Sequence, residues 1–195
     1  MLKVYLRTME ELQLRLDAIY RLPEPVRSEF MALWQTKAYP KGHMLLHEAQ
    51  KSHYLYFISK GVARIFYHKQ NREVTEWLAL DNSFFFSIRS FFERIPSHLA
   101  INLLEPSSLF VLHHDDLMRL CDKHHEVEKL FRRMVTVSLI LSQIRMESIQ
   151  FETAQQRYKG LLARNPDILQ RVPLAYIASF LGITQETLSR VRGTK

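Results

Sequence analysis

Cysteine occurs once in these 195 residues, at Cys121, and glycine only five times, with none between Gly61 and Gly160. A single thiol excludes disulfide frameworks, thiolate zinc sites and four-cysteine iron–sulfur clusters within one chain. No P-loop, G-x-S-x-G or paired-carboxylate pattern is present, so an enzyme is not expected. No uncharged apolar run approaches the roughly 18 residues of a membrane span. The first twenty residues carry acids inside their apolar periodicity and lack a small-residue cleavage site, so they do not read as a signal peptide, and a cytoplasmic location is expected. Internal repeats and low-complexity segments are also lacking.

What is present is an ordinary globular balance, 47% apolar and 24% charged, with a net charge of +7. The charge is uneven. Residues 151–195 hold seven basic residues against Glu152, Asp167 and Glu186, which is +4 of the total. Such a concentration favours a polyanionic partner.

The texture changes twice along the chain. Residues 9–20 and 24–35 show apolar residues at helical spacing, punctuated by Pro23 and Pro25. From about Tyr39 to Leu120 short strand-like runs follow, at 43–46, 54–58, 62–67, 74–80, 100–104 and 109–112. Turn signals separate them, among them Lys60-Gly61 and Lys69-Gln70-Asn71. This predicts an antiparallel barrel or jelly roll. Residues 124–150 then read as one helix without Pro or Gly, in which Val127, Leu130, Met134, Val137, Leu141, Ile144 and Ser148 alternate at spacings of three and four. That is a heptad seam, predicting parallel dimerisation; packing against its own domain is the alternative. Thr153 is placed to cap a further helix. The expected class is α+β: a barrel with N-terminal helices over 1–123, a dimerisation helix over 124–150 and a small helical unit over 151–195.

The sharpest local signal is residues 174–191, LAYIASFLGITQETLSRV. Ile177, Ala178 and Leu181 share one helix face, Gly182 supplies a turn with positive φ, Ile183 plugs the shared core, and Thr184 caps a second helix buried through Leu188 and Val191. The second helix exposes Gln185, Glu186, Ser189, Arg190 and Arg192, side chains suited to base edges and phosphates. This pattern predicts a helix-turn-helix whose second helix reads double-stranded DNA, with Thr184 at its head.

Barrel, long helix and helix-turn-helix in that order resemble the CRP/FNR family of bacterial transcription regulators. YPKGHMLLHEAQKSHYLYFISKGVARIFY (39–67) is similar to the family's strand–turn–strand signature, with Gly61 at its turn, and ITQETLSRVR (183–192) is similar to its recognition helix. The resemblance implies a homodimer on a pseudo-palindromic operator, with Gln185, Glu186 and Arg190 at base-contacting positions and RNA polymerase as a further partner.

Two departures stand beside these matches. Cyclic-nucleotide-binding members carry a Gly-Glu pair and, about ten residues on, Arg-Ser or Arg-Thr; here Phe86-Ser87 and Ser97-His98 occupy those places. Close backbone approach, a carboxylate for the ribose and a guanidinium for the phosphate are all removed, so cyclic AMP binding by the usual route is not expected. No cofactor is implied, and the effector, if there is one, is a small molecule of unidentified chemistry. The candidate pocket is Phe86, Ser87, Arg89, Ser97 and His98. Phe84, Phe85, Phe86, Ile88, Phe91 and Phe92 either fill the barrel or hold an apolar ligand anchored by Arg89 or His98. In addition, the sequence stops three residues after Arg192, and residues 170–174 are too short for a β-hairpin wing, so binding should depend strongly on salt.

His43 and His47, on one strand, would lie about 13 Å apart and could not share a metal. His53 or His98 as an axial haem ligand follows only from the family resemblance. Two rival readings remain: a ligand-sensing barrel acting through protein partners with a vestigial helix-turn-helix, and a jelly-roll metalloenzyme.

Overall fold

The computed structural model describes residues 2–193. Eight strands run in chain order as β1 (Gln35–Tyr39), β2 (Met44–Leu46), β3 (Tyr54–Lys60), β4 (Ala63–Lys69), β5 (Arg72–Ala79), β6 (Ser83–Phe85), β7 (Ala100–Leu103) and β8 (Ser107–His113). They form two four-stranded antiparallel sheets, β1-β8-β3-β6 and β2-β7-β4-β5. The β4–β5 hairpin turns through Gln70 and Asn71, both at positive φ (50° and 60°). Two adjacent left-handed residues give a turn whose twist matches that of the strands.

Alternation along β3 and β8 sends their side chains to two different cores. Tyr56 and Ile58 of β3, Ala63 and Ile65 of β4, Ile101 and Leu103 of β7, and Leu109 and Val111 of β8 fill the space between the sheets. The opposite parity of β3 and β8 (Leu55, Phe57, Phe110, Leu112) faces helices instead. There it meets Leu12 and Leu16 of α1 (Leu2–Asp17), Phe30 of α2 (Val26–Ala32), Leu117 and Leu120 of α4 (His114–Lys123), and Val127, Leu130, Phe131 and Met134 of α5 (His125–Phe151).

The second sheet is covered as well. Val62, Leu78 and Leu104 join Tyr158 and Leu161 of α6 (Ala154–Arg164), Ile168 of α7 (Ile168–Arg171), Ile177 and Ala178 of α8 (Leu174–Phe180), and Leu188 of α9 (Gln185–Gly193). The C-terminal helices therefore share a core with the barrel wall. Thr153 and Gln156 form a full capping box at the head of α6.

Several expectations are revised. β1 and β6 are strands that the sequence pattern did not reveal, and a short helix α3 (Ile88–Glu93) interrupts the phenylalanine-rich segment. Of those phenylalanines only Phe85 enters the space between the sheets; Phe84, Phe86 and Phe91 pack on the helical side, and Phe92 is 42% exposed. Among the described residues no helix is long and apolar enough to cross a membrane.

Candidate nucleic-acid interface and effector cavity

Helix α8 ends on a Schellman motif. The Gly182 N–H donates to the Ser179 carbonyl at 3.1 Å and the Ile183 N–H to the Ala178 carbonyl at 3.0 Å, with Gly182 at φ +68°. No heavy atom comes within 4 Å of where a Gly182 Cβ would stand, so glycine is there for its conformation. The Thr184 hydroxyl then accepts the Thr187 N–H at 3.2 Å and opens α9. Leu188 is buried and Val191 half-buried, which fixes the rotation of α9 and turns Gln185, Glu186, Ser189, Arg190 and Arg192 outward, all exposed together with Thr184. Two helices joined by a tight turn, the second with a polar outer face, are the arrangement that was expected from the sequence.

The first of these helices sits on the barrel. The Thr75 N–H of β5 donates to Ser179 Oγ at 2.8 Å. The Tyr176 ring centroid lies 3.6 Å from the guanidinium carbon of Arg64 on β4. Phe180 meets Trp77 edge-on at 6.3 Å and carries the Arg145 guanidinium 4.0 Å above its ring. Burial lowers Arg145 to about 10, so it stays cationic at neutral pH. Arg171 of α7 bonds Asp81 at 2.9 and 3.0 Å, Glu105 at 2.6 Å and the Gly61 carbonyl at 3.1 Å; its hydrogen bonds to Glu105 and Asp81 raise its pKa. Arg157 of α6 donates to the Leu181 carbonyl at 2.8 Å. None of these contacts was foreseen. The one signal in the sequence was Arg64, a lone cation inside the apolar run VARIFY.

A cavity of about 1020 Å³ lies between the barrel, α1 and α5. Phe84, Phe86, Ile88 and Phe92 form one wall with Glu76, Trp77 and His98, and Val137, Ser138, Leu141 and Ser142 of α5 form another. Arg15, Arg89, Arg132 and Arg133 also line it. Arg89 is engaged by Glu93 at 2.9 Å and Arg132 by Glu128 at 3.3 Å. Burial raises the Glu76 carboxyl, against the opposing influence of His98 and Arg145.

Of the five candidate pocket residues, Phe86, Arg89 and His98 border this cavity, while Ser87 and Ser97 are buried and bonded to each other at 2.9 Å. Ser97 Oγ also donates to the Leu99 carbonyl and accepts its N–H, at 2.9 and 3.0 Å, so the Ser87 hydroxyl is the donor between them. Both hydroxyls are spent inside the protein, and neither position supplies a cation. The residues do not fit a cyclic phosphate held in the usual cassette.

Leu130, Met134, Val137, Leu141 and Ile144, the apolar heart of the expected seam on α5, divide into two groups. Leu130 and Met134, at 0% and 8% exposure, are consumed by the core beside the first sheet and are unavailable to a second chain. Val137, Leu141 and Ile144 are 42%, 43% and 49% exposed. The heptad pattern runs through both because one stripe serves the chain's own core first and then leaves it.

Among the described residues no group of three or more His, Cys, Asp or Glu side chains is arranged to hold a metal ion. Burial, with Glu128 and Asp122 nearby, pushes the Cys121 thiol up to about 11, so it is protonated at neutral pH.

Residues 36–124 match the cyclic nucleotide-binding domain family. Among solved structures the chain is similar to FixK2 from Bradyrhizobium japonicum, at 22% identity and a TM-score of 0.70 over 82% of this chain and 83% of that one. It is similar to the catabolite activator protein of Thermus thermophilus at 20% identity, with a TM-score of 0.57 over 92% and 85%. A protein from Eubacterium rectale described as a CRP/FNR-family transcriptional regulator gives 15% identity and a TM-score of 0.69 over 87% and 82%. No curated protein matches the sequence. The barrel region thus matches cyclic nucleotide-binding domains, and the chain as a whole shares its fold with these three structures.

Proposed function

We propose that the chain is a sequence-specific DNA-binding transcription regulator acting as a homodimer. The observation that carries this reading is α9, held by Leu188 and Val191 with Gln185, Glu186, Ser189, Arg190 and Arg192 facing outward from a basic C-terminal unit. An N-terminal turn of such a helix in the major groove places Gln185 and Glu186 at base edges, while Arg190 and Arg192 reach guanine or phosphate. The free stripe Val137, Ile144 and Phe151, the last 80% exposed, is the surface a second α5 would cover. Two copies related by that stripe would present two α9 helices to successive major grooves, about 34 Å apart. Its effector, where one acts, is a small molecule in the cavity rather than cyclic AMP held by the usual cassette.

Dimerisation is tested apart from DNA. Ile144→Glu places a charge on the free stripe at a residue that borders neither the cavity nor the barrel. Sedimentation should give a dimer for the parent and a monomer for the variant at micromolar concentration, with unchanged circular dichroism. DNA affinity should fall with the loss of the second half-site. A variant that sediments like the parent would remove this stripe as the interface.

A further inference from the structure

Arg64 is an unusual choice for its place. It is the second residue of β4 and only 1% exposed, where an isolated cation is costly. Its partners lie on both sides of the junction between barrel and C-terminal helices. Nε donates to Thr75 Oγ1 at 2.9 Å and Nη1 pairs with Glu73 at 2.5 Å, both on β5. The guanidinium carbon is 4.3 Å from the Phe66 ring centroid on the barrel and 3.6 Å from that of Tyr176 on α8. Nη2 has no hydrogen-bond partner. A methionine or leucine would fill the same space without desolvating a charge, so the stability of the barrel alone does not account for the arginine.

Thr75 ties the contact together. Its hydroxyl holds Arg64 while its N–H holds Ser179 of α8 at 2.8 Å. The β4–β5 ladder shifts register at this point, pairing Ile65 with Trp77 but Phe66 with Thr75 and leaving Glu76 as the extra residue. A bulge re-aims side chains, and here it lies directly beneath α8. Glu76 and Trp77 also border the effector cavity, and Trp77 touches Phe180. With α8 seated, the outward residues of α9 remain exposed. The contact therefore presents α9 rather than covering it.

We propose that Arg64 is a positioning residue that latches α8 to the barrel through Tyr176 and so fixes where α9 stands relative to α5, setting the half-site spacing a dimer engages. The spacing role rests on the DNA-binding reading; the latch itself does not. A latched unit meets its second half-site at high effective concentration, and a loosened one samples many placements. The cost of unlatching thus falls on bivalent binding and spares each single contact.

The test compares the parent with Arg64→Met, Tyr176→Ala and the conservative Tyr176→Phe, which keeps the ring. Hydrogen exchange is followed at the Thr75 amide and across α8, with β3 and β8 amides as internal controls. Affinity is measured for a duplex bearing two half-sites and for one bearing a single half-site. In Arg64→Met and Tyr176→Ala, exchange at Thr75 and α8 should accelerate while the β3 and β8 amides do not change. The ratio of two-site to one-site affinity should fall about tenfold or more, with single-site affinity retained. Tyr176→Phe should match the parent in both readouts. Unchanged exchange at Thr75 and α8 in both disruptive variants would overturn the latch. Faster exchange with an unchanged affinity ratio would overturn its role in spacing. A parent that binds neither duplex would overturn the DNA-binding reading, and the spacing role with it, while exchange still decides the latch.

Discussion

Replacing Gln185 and Arg190 together with alanine should abolish sequence-specific DNA binding and leave folding and oligomeric state intact. Both side chains are exposed on α9, whose attachment runs through Leu188 and Val191 on its other side. Alanine is the best helix former, so the scaffold is kept. A well-made bidentate base contact is worth roughly 1–3 kcal/mol, so two of them contribute about 2–6 kcal/mol, a loss of about thirtyfold at the least. Fluorescence anisotropy with the selected operator measures the loss, and sedimentation checks the oligomer. Parent-like affinity in the double variant would show that other residues read the bases.

The second large effect is on stability. In Gly61→Ala the added methyl would stand 2.1 Å from Ser107 Oγ and 2.5 Å from its Cβ, at a φ of +128° that L side chains avoid. Ser107 is buried, and its hydroxyl is committed to the Glu105 carbonyl at 2.8 Å, so it cannot swing away freely. The same glycine accepts from Arg171 at 3.1 Å and donates to Asp81 at 2.6 Å, so displacing it disturbs the seat of the C-terminal helices too. Backbone strain and overpacking each cost about 1–3 kcal/mol, giving a destabilisation of roughly 2–6 kcal/mol. For a chain of this length that lowers Tm by on the order of 10 °C. Gly42→Ala supplies the contrast: φ is +82° but nothing lies within 4 Å, so only the strain remains and the loss should be smaller. Adding Ser107→Gly to Gly61→Ala should recover the steric part. Equal Tm values for Gly61→Ala and Gly42→Ala would contradict this account of the turn.

The elements that were legible in the sequence are those whose pattern was set locally. Thr153, and Thr184 with Gly182, announced helix starts and a turn, because caps and positive φ demand particular residue types. The long α5 was plain from its unbroken periodicity. β1 was hidden because four of its five residues are exposed, so no alternation marks it, and β6 is only three residues long. Placing the phenylalanines inside the barrel failed for a geometric reason. The central strands β3 and β8 of the first sheet are buried on both faces, and composition does not say which parity of a doubly buried strand faces which core. The division of the α5 stripe at Met134 was likewise invisible, since one heptad pattern satisfies both an internal and an external partner.

The candidate site was legible in the same uneven way. Gln185, Glu186 and Arg190 could be chosen from their place in a motif, and the loss of the phosphate cassette could be read from Phe86-Ser87 and Ser97-His98. The bond between Ser87 and Ser97 could not, because it joins residues ten apart only through the fold. The contacts of Arg64, Trp77 and Arg145 with α8, and of Arg171 on α7 with the barrel, were hidden for the same reason: each joins residues far apart in sequence only through the fold.

The most direct measurement is selection of genomic DNA fragments by the purified protein at low and at physiological salt. The account predicts enrichment of a two-fold-symmetric site whose half-sites lie one helical turn apart, retained at the higher salt. DNA held without sequence preference and lost as salt rises would mean that net charge alone was binding. That result would contradict the assignment of α9 as a reader of sequence.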